Sequence, residues 1–422
     1  MRHRAGDLDR IVIVGAGRAA VAAAEELHRL GFTGAITMLG GEAHPPYHRP
    51  ACSKGLLTGR QRPADAHLSF SAPVRWLPGR TAEDLDVTRQ IVYTQTGEEF
   101  EYDGLIVATG AKPVSPPGWP VGEPGLHVLH DIEDAFALAG ALREARRVAV
   151  VGAGFTGCEA AYVVSSLARE CVIVDSNPQV MTRAVGAVTG GLVADSMRHE
   201  GVRMRLGRRV RTVSRSRRGW RLDLDDGSHV DADVVISALG ERPDTSWFTA
   251  RHADTGDGLL CDESLRVLGV NRVVAAGAVA RWPNPWYGDA PGRCDQWIAA
   301  LEQGQAAART LLAGQRPAPA APLQPRYWSD LFGLRIQVCG RLDGADDVEV
   351  TELRPGRRDI ARGGMVAVHL RDGVARGVVA VNAPRQFTTL AREMRAAGPV
   401  ARPRVSLPAA QTSHQRRLSL VG

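Results

Sequence analysis

One pattern occurs twice in this chain and limits what it can fold into. Residues 10–42 and 147–175 each read as an apolar, β-branched strand, a glycine-rich turn, an alanine-rich helix, a second strand and an acidic residue. This order is typical of the βαβ unit that binds a dinucleotide. A single match of this kind is weak evidence, whereas two complete matches in one chain are strong. The sequence therefore predicts two dinucleotide sites in two Rossmann-like domains.

The small residues in each turn have separate tasks. In the first unit, Gly15 and Gly17 allow the tight turn and a close backbone approach, and Ala20 takes the small position where helix and strand pack. We expect a pyrophosphate at the helix N-terminus, where free N–H groups and the helix dipole favour an anion. The residues predicted to line this turn are Gly15, Ala16, Gly17, Arg18, Ala19 and Ala20.

The second unit repeats this arrangement with its own residues. The residues predicted to line its turn are Gly152, Gly154, Phe155, Thr156 and Gly157. An acid follows the second strand of each unit, Glu42 in the first and Asp175 in the second, and each is expected to hold a ribose hydroxyl. A carboxylate at Asp175 repels a 2′-phosphate, and no arginine follows before Arg183, so this site favours NADH over NADPH.

Composition excludes several other classes of protein. Hydrophobic residues make up 44% and charged residues 23% of the 422 residues, which is ordinary for globular proteins and unlike disordered, collagenous or coiled-coil chains. Six scattered cysteines without a Cys-x-x-Cys pair do not suit a disulfide scaffold, a zinc ribbon, an iron–sulfur site or a thioredoxin-like dithiol. No metal site is predicted.

Charge and hydropathy indicate location and partners. No apolar run approaches a membrane span of ~18 residues, and the basic start leaves no room for a signal peptide, so we expect a cytoplasmic protein without a membrane partner. The net charge of +6 favours acidic partners. Aromatic residues make up only 5%, which argues against nucleic-acid binding.

More specific motifs follow the fingerprints. In chain order they are Pro46-Tyr-His-Arg-Pro-Ala-Cys-Ser-Lys54, Ala108-Thr109-Gly110, Gly240-Glu-Arg-Pro243, Ala275-Ala-Gly-Ala278, Trp297, Trp328-Ser-Asp330 and Val381-Asn-Ala-Pro-Arg-Gln-Phe387. Together with the two fingerprints they cover nearly the whole chain. The sequence resembles the FAD-dependent NADH:ferredoxin reductases of bacterial oxygenase systems, the putidaredoxin reductase and rhodocoxin reductase group.

The resemblance implies an α/β, glutathione-reductase-like fold with two Rossmann-like domains and a C-terminal α+β domain. The expected boundaries are 1–112 and 241–320 for a split FAD-binding domain, 113–240 for an NAD-binding domain and 321–400 for the C-terminal domain, which docks the partner. Residues 401–422 are a candidate disordered tail.

The resemblance also implies the activity. Hydride passes from NADH to FAD, and electrons then leave singly to a small, acidic iron–sulfur ferredoxin. That ferredoxin supplies a haem-thiolate monooxygenase or a Rieske-type oxygenase. The protein is expected to be a monomer or a weak dimer.

Site roles follow from the same resemblance. Lys54 is expected beside the flavin, paired with Glu159, and Trp297 and Trp328 match tryptophans near the flavin. The other expected contacts to the cofactors are Gly41, Arg49, Ala82, Ala108, Thr109, Gly110, His130, Gly240, Gly277 and Ala278.

Four positions depart from the family pattern. Ala278 stands where an aspartate usually meets the ribityl chain, and His130 stands where an arginine is common. His48 replaces an acid, and Cys52 replaces an apolar residue. We therefore expect looser FAD binding than in the family.

Two alternative activities use the same architecture. NADH oxidases, NADH peroxidases and CoA-disulfide reductases use one redox cysteine near the flavin, and Cys52 lies close to that position. Proteins similar to apoptosis-inducing factor act through slow redox chemistry and binding, which a weakened FAD site would suit.

Overall fold

The chain forms two compact units. The computed structural model describes residues 8–217, 219–286, 290–353, 363–398 and 412–420. The first unit comprises the described residues of Met1–Arg49, Pro63–Lys112 and Glu241–Pro325. The second comprises those of Pro50–Arg62, Pro113–Gly240 and Arg326–Gly422.

The first unit is built on a five-stranded parallel sheet with the order β19-β7-β1-β2-β3. Its strands are β1 (Arg10–Val14), β2 (Ala35–Gly40), β3 (Arg75–Pro78), β7 (Gly104–Val107) and β19 (Val273–Ala275). Two helices accompany the sheet, α1 (Arg18–Arg29) and α6 (Trp297–Ala313), and α2 (Pro63–Ala66) is a single turn.

Smaller elements complete this unit. An antiparallel sheet contains β4 (Ala82–Asp86), β5 (Ile91–Thr94) and β6 (Glu99–Glu101), and β8 (Ala111–Pro113) pairs with β17 (Glu241–Pro243). A second small sheet contains β18 (Leu259–Leu260), β20 (Ala280–Trp282) and β21 (Gly292–Arg293). A 3₁₀ turn covers Arg49–Ala51.

Small side chains allow α1 and α6 to pack closely. A Cβ built at Gly304 would lie 2.2 Å from the carbonyl oxygen of Ala19, so only glycine fits at this crossing. Ala20 and Ala23 on the same helix are fully buried, as are Ala307 and Ala308 on α6. The two alanine-rich faces place the N-terminal ends of both helices in one core with β1.

The second unit contains another five-stranded parallel sheet, with the order β12-β11-β10-β16-β9. Its strands are β9 (Leu126–Val128), β10 (Arg147–Val151), β11 (Glu170–Asp175), β12 (Arg203–Leu206) and β16 (Val234–Ser237). The helices are α3 (Ile132–Glu144), α4 (Phe155–Ser166) and α5 (Thr182–His199). A three-stranded antiparallel sheet follows, with β13 (Val210–Ser216), β14 (Gly219–Leu224) and β15 (His229–Ala232).

The C-terminal part of this unit is a six-stranded antiparallel sheet with the order β22-β23-β26-β25-β24-β27. Its strands are β22 (Arg326–Leu331), β23 (Leu334–Gly340), β24 (Asp347–Leu353), β25 (Met365–Arg371), β26 (Val374–Val381) and β27 (Thr412–Ser419). The helix α7 (Pro384–Ala397) packs on this sheet through Leu390 and Met394.

These elements confirm the predicted fold class, with two parallel Rossmann-like sheets and an α+β C-terminal part. One expectation is wrong. Thr412–Ser419 form an edge strand on β24, although 401–422 read as a disordered tail. This segment contains one apolar residue, Leu418, so no alternation of apolar and polar residues marks it as a strand, and the pairing comes from a strand distant in the sequence. Residues 401–411, 421 and 422 lie outside the described residues.

Among the helices that the structure describes, none combines the length and the apolar character that a bilayer-spanning segment requires.

Candidate functional site

The turn after β1 requires its first glycine and leaves space at its second. Gly15 has φ +111°, and a Cβ there would lie 2.1 Å from the carbonyl oxygen of Ala108. Gly17 precedes α1 without a side-chain cap, and a Cβ there would meet nothing within 4 Å. Since the first turn of α1 also lacks acidic residues, its N–H groups open onto a space that suits an anion.

The acid that follows β2 sits in a polar cluster. The Glu42 carboxylate accepts hydrogen bonds from the Tyr47 hydroxyl at 2.6 Å and from Arg49 Nη2 at 2.5 Å. A Cβ at Gly41 would lie 3.0 Å from the Thr81 hydroxyl, so the chain passes close to β4 here. The structure thus brings together Glu42 and Arg49, both of which the sequence singled out.

Three side chains stack beside the start of α1. The guanidinium of Arg18 lies 4.7 Å from the ring centre of Trp297, and the His48 ring stacks on the same indole at 5.0 Å. Desolvation, helped by the Arg18 charge, lowers the pKa of His48. Both Arg18 Nε and Trp297 Nε1 are buried without a hydrogen-bond partner. Two unsatisfied donors therefore lie beside the space in front of Gly17.

The segment that follows β7, residues 108–110, is held by hydrogen bonds within the first unit. Thr109 donates a hydrogen bond to the carbonyl oxygen of Asp244 at 2.8 Å, and Gly110 has φ +72°. Ala108 is buried and donates its N–H to the carbonyl of Val14 at 2.7 Å. Ala82 is also buried, at the start of β4. These residues contribute backbone and small side chains to the same unit as the first fingerprint.

Ala278 stands where the family usually has an aspartate, and it and Gly277 form hydrogen bonds through their backbone atoms. Gly277 has φ +83° and donates its N–H to Gln303 Oε1 at 2.5 Å, while the Ala278 carbonyl accepts from Arg293 Nη1 at 3.1 Å. Gln303 is fully buried, and its Nε2 has no partner. A buried amide that lacks an acceptor on the protein remains available to a ligand.

The turn after β10 repeats the geometry of the first. Gly152 has φ +105°, and a Cβ there would lie 2.2 Å from the Ala238 carbonyl oxygen. A Cβ at Gly157 would lie 1.8 Å from the Gly152 carbonyl oxygen, so helix and strand approach through glycine. Gly154 precedes α4 without a side-chain cap, with nothing within 4 Å of a Cβ. The first turn of this helix, with Phe155 and Thr156, also lacks acidic residues.

The acid of the second unit contacts its own glycine-rich turn. Asp175 Oδ2 accepts the N–H of Ala153 at 2.5 Å, and Oδ1 accepts from the backbone and side chain of Asn177 at 2.6 and 2.7 Å. The backbone N–H of Arg208 donates to the Asp175 carbonyl at 2.9 Å. The turn that carries Arg208 therefore borders this site, which its distance in the sequence concealed.

The second unit also contains an ion pair. Lys54 Nζ lies 2.5 Å from Glu159 Oε1, and this carboxylate also accepts hydrogen bonds from the hydroxyls of Ser53 and Ser329. The structure thus brings Lys54 and Glu159 together. Ser53 and Ser329 lie within motifs of the sequence, but no local pattern indicates that both reach Glu159.

Other singled-out residues occupy separate positions in the second unit. His130 lies before α3, where its N–H donates to the carboxylate of Asp134 at 2.9 Å. Gly240 has φ +93°, and its carbonyl accepts from Val114 at 2.9 Å. Trp328 is 51% exposed, whereas Cys52 is only 3% exposed.

These observations fit two dinucleotides. The first turn offers free helix N–H groups and the unpartnered donors Arg18 Nε and Trp297 Nε1, which suit the many acceptors of FAD. The second turn offers an open cradle at Gly154 with a carboxylate at Asp175, which suits NADH. Fold and turns together define an oxidoreductase that binds two dinucleotides.

Comparisons with known proteins agree. Residues 9–304 match the family model of the pyridine nucleotide-disulphide oxidoreductases, and residues 326–413 match the reductase C-terminal model. The chain belongs to this oxidoreductase family, whose members use FAD and NAD(H), and within it to the ferredoxin reductases.

Similar proteins include a probable ferredoxin reductase of Castellaniella defragrans, 31% identical, with 90% of this chain and 92% of the relative covered. The ferredoxin–NAD(+) reductase component of the biphenyl dioxygenase system of Paraburkholderia xenovorans is 30% identical, with coverages of 91% and 93%. Putidaredoxin reductase, solved in a covalent complex with putidaredoxin, superposes with a TM-score of 0.82 at 25% identity, covering 91% of this chain and 92% of that chain.

Proposed function

We propose that this protein takes hydride from NADH through FAD and passes electrons singly to a ferredoxin that supplies an oxygenase. The observation that carries the proposal is the pair of uncapped glycine-led helices, one in each compact unit, each followed by an acid at the end of the next strand. Two relatives that match about nine-tenths of the chain are the reductase components of a biphenyl dioxygenase system and of a chlorobenzene dioxygenase.

We assign FAD to the first turn and NADH to the second. When bound, the flavin accepts two electrons together and gives them up one at a time. The FAD domain is proposed to comprise 1–112 and 241–320, the NAD domain 113–240 and the acceptor-docking domain 321–400. His130, Gly240 and Ala82 are also proposed to contact the cofactors.

In this assignment, each residue has a physical task. The N–H groups of α1 hold the FAD pyrophosphate, and Glu42, supported by Tyr47 and Arg49, accepts from its adenosine ribose. The ammonium of Lys54 places a positive charge where the flavin gains negative charge, and Glu159 orients that ammonium. Asp175 accepts from the ribose of NADH.

The acceptor is proposed to be a small, acidic ferredoxin. The net charge of +6 and the half-exposed indole of Trp328 on the C-terminal sheet support this assignment. The downstream enzyme is proposed to be a haem-thiolate monooxygenase or a Rieske-type oxygenase, and the reductase a monomer or weak dimer. A cytoplasmic location is also proposed, because the buried, free thiols of Cys158, Cys171, Cys261 and Cys339 suit a reducing compartment.

The structure gives no support to a redox role for Cys52. Its thiol belongs to a residue that is 3% exposed, and a reactive cysteine needs an accessible thiolate. Alkylation of the native protein should therefore leave NADH-dependent reduction of an acceptor unchanged.

The test is anaerobic electron transfer to a defined acceptor. Purified protein, FAD and NADH are mixed with a [2Fe–2S] ferredoxin, and bleaching of the iron–sulfur absorption is followed. Reduction of the ferredoxin many times faster than in a mixture without the protein supports the proposal. Rapid NADH oxidation that needs oxygen and leaves the ferredoxin oxidised would instead support an oxidase.

A further inference from the structure

The strand β22 lies along one face of helix α4 in the second unit. The helix residues that face it are spaced four and three apart, as one face of an α-helix requires. Two aromatic contacts, with ring centres 5.3 and 5.1 Å apart, flank a central polar contact. The three pairs are Phe155 with Tyr327, Glu159 with Ser329, and Tyr162 with Phe332, the residue that follows β22.

The central pair belongs to a fully bonded carboxylate. Glu159 is 7% exposed, and its Oε1 accepts from both the Lys54 ammonium at 2.5 Å and the Ser329 hydroxyl. Its Oε2 accepts from the Ser53 hydroxyl at 2.5 Å. Three donors thus reach one carboxylate from two segments of the chain: Ser53 and Lys54 in the loop before α2, and Ser329 on β22.

The two hydroxyls matter because a buried charge needs more than one partner. An ionised carboxylate that leaves water loses several hydrogen bonds, and a single ion pair does not restore them. Lys54 is itself partly exposed, so its own contact is open to competition from water. Ser329 is fully buried, and its hydroxyl therefore has few other acceptors.

Strand geometry makes Ser329 the residue of β22 that can do this. Successive side chains of a strand point to opposite faces. Trp328 and Asp330 are exposed, and Ser329 between them points inward to α4.

We propose that Ser329 and Ser53 are positioning residues that hold the Glu159 carboxylate in place against Lys54. They touch neither the substrates nor, on this account, the flavin, and they act through Glu159. The statement that this ion pair serves electron transfer rests on the proposed function. The contact between Glu159 and Lys54 does not depend on the proposed function, and its strength can be measured separately.

The chain contains only two lysines, Lys54 and Lys112, which makes a direct measurement possible. The full-length protein as purified is treated with a limiting N-hydroxysuccinimide ester of acetic acid, and acetylation at each lysine is followed by peptide mass spectrometry. The ester must reach the side-chain nitrogen, so a lysine whose nitrogen is held against a carboxylate reacts more slowly than one that is released. Lys112, paired with Asp244 at 2.9 Å in the other unit, is the internal reference.

Ser329→Ala and Ser53→Ala are each expected to raise the Lys54-to-Lys112 acetylation ratio at least threefold, because Glu159 loses a donor and binds the ammonium less well. Glu159→Gln should raise the ratio further. Thr351→Val removes a buried hydroxyl from β24 of the same sheet and should leave the ratio unchanged. An unchanged or lower ratio in both serine variants, or an equal rise in Thr351→Val, would overturn the proposal. If Ser329→Ala does not fold, Ser53→Ala decides.

The flavin midpoint potential separates this inference from the proposed function. If the ion pair lies at the flavin, Ser329→Ala loosens the contact between Glu159 and Lys54. The Lys54 charge is then less compensated, and the midpoint potential of the flavin is expected to rise. A raised acetylation ratio with an unchanged potential would support the positioning role and contradict the placement of the pair at the flavin.

Discussion

The guanidinium of Arg18 lies over the indole of Trp297, 4.7 Å from its ring centre, although the two residues begin different helices of the first unit. Cation–π contact stabilises the pair. The buried Nε of Arg18 and Nε1 of Trp297 nevertheless lack acceptors. Both donors lie at the start of α1, where the glycine-rich turn leaves its N–H groups uncapped.

Arg18 is therefore expected to contribute to FAD affinity. A charge-assisted hydrogen bond contributes roughly 1.5–3 kcal/mol, so Arg18→Met should weaken FAD binding by about tenfold or more. Flavin fluorescence titration of the apoprotein measures the dissociation constant. Arg251→Met, at an exposed position of the same unit, is the control and should leave the constant unchanged. Equal affinities in Arg18→Met and wild type would remove Arg18 from the site.

Restoring the acid at position 278 should tighten FAD binding. Ala278→Asp adds an acceptor for a ribityl hydroxyl, with an expected gain of roughly 1.5–3 kcal/mol, or about one to two decades in the dissociation constant. Ala278→Asn has a similar size without the charge and should give a smaller gain. If flavin content and affinity stay the same in Ala278→Asp, this position does not limit binding.

Asp175 should determine the choice between NADH and NADPH. Repulsion between its carboxylate and a 2′-phosphate is expected to cost several kcal/mol, which favours NADH in kcat/KM by roughly a hundredfold or more. Asp175→Ala combined with Ser176→Arg should reduce that preference at least tenfold. Asp223→Ala, a surface carboxylate of the same unit, serves as the control. Equal rates with both nucleotides in the wild type would contradict the assignment.

His369 should make stability depend on pH. Burial lowers the pKa of this histidine from 6.5 to about 4. Between these values the unfolded chain binds more protons at His369 than the folded protein, so stability rises with pH and is lost as the pH falls from about 6.5 to 4. The shift corresponds to roughly 3 kcal/mol at 1.36 kcal/mol per pKa unit.

Urea unfolding at a series of pH values, with saturating FAD, measures this effect. His369→Gln should flatten the dependence between pH 6.5 and 4, whatever its stability at pH 7. His229→Gln, at an exposed position of β15, should keep the wild-type slope. A His369→Gln protein with the wild-type slope would show that other groups carry the dependence.

Local patterns were enough to predict the two βαβ units, because each follows from short-range periodicity and from the glycines at its turn. The pairing of Lys54 with Glu159 came from family resemblance, since nothing local connects residues 105 positions apart.

Other contacts could not be predicted from the sequence, because they form only when distant elements pack together. Ser329 reaches Glu159 because two buried elements pack, and Arg208 borders Asp175 because β12 lies beside β11. Such contacts depend on tertiary structure. The strand Thr412–Ser419 was missed for the same reason, since its partner β24 lies about sixty residues earlier. The spacing of Phe155, Glu159 and Tyr162 was the local pattern that could have indicated which face of α4 carries the ion pair.

An anaerobic titration of the purified protein with NADH tests the central claim most directly. With FAD bound, the account predicts a flavin absorption band that bleaches on addition of about one equivalent of NADH and returns when oxidised ferredoxin is added. The same amount of NADPH should bleach it far more slowly. A protein that binds no flavin when FAD is supplied, or whose flavin band NADH leaves unchanged, would contradict the account.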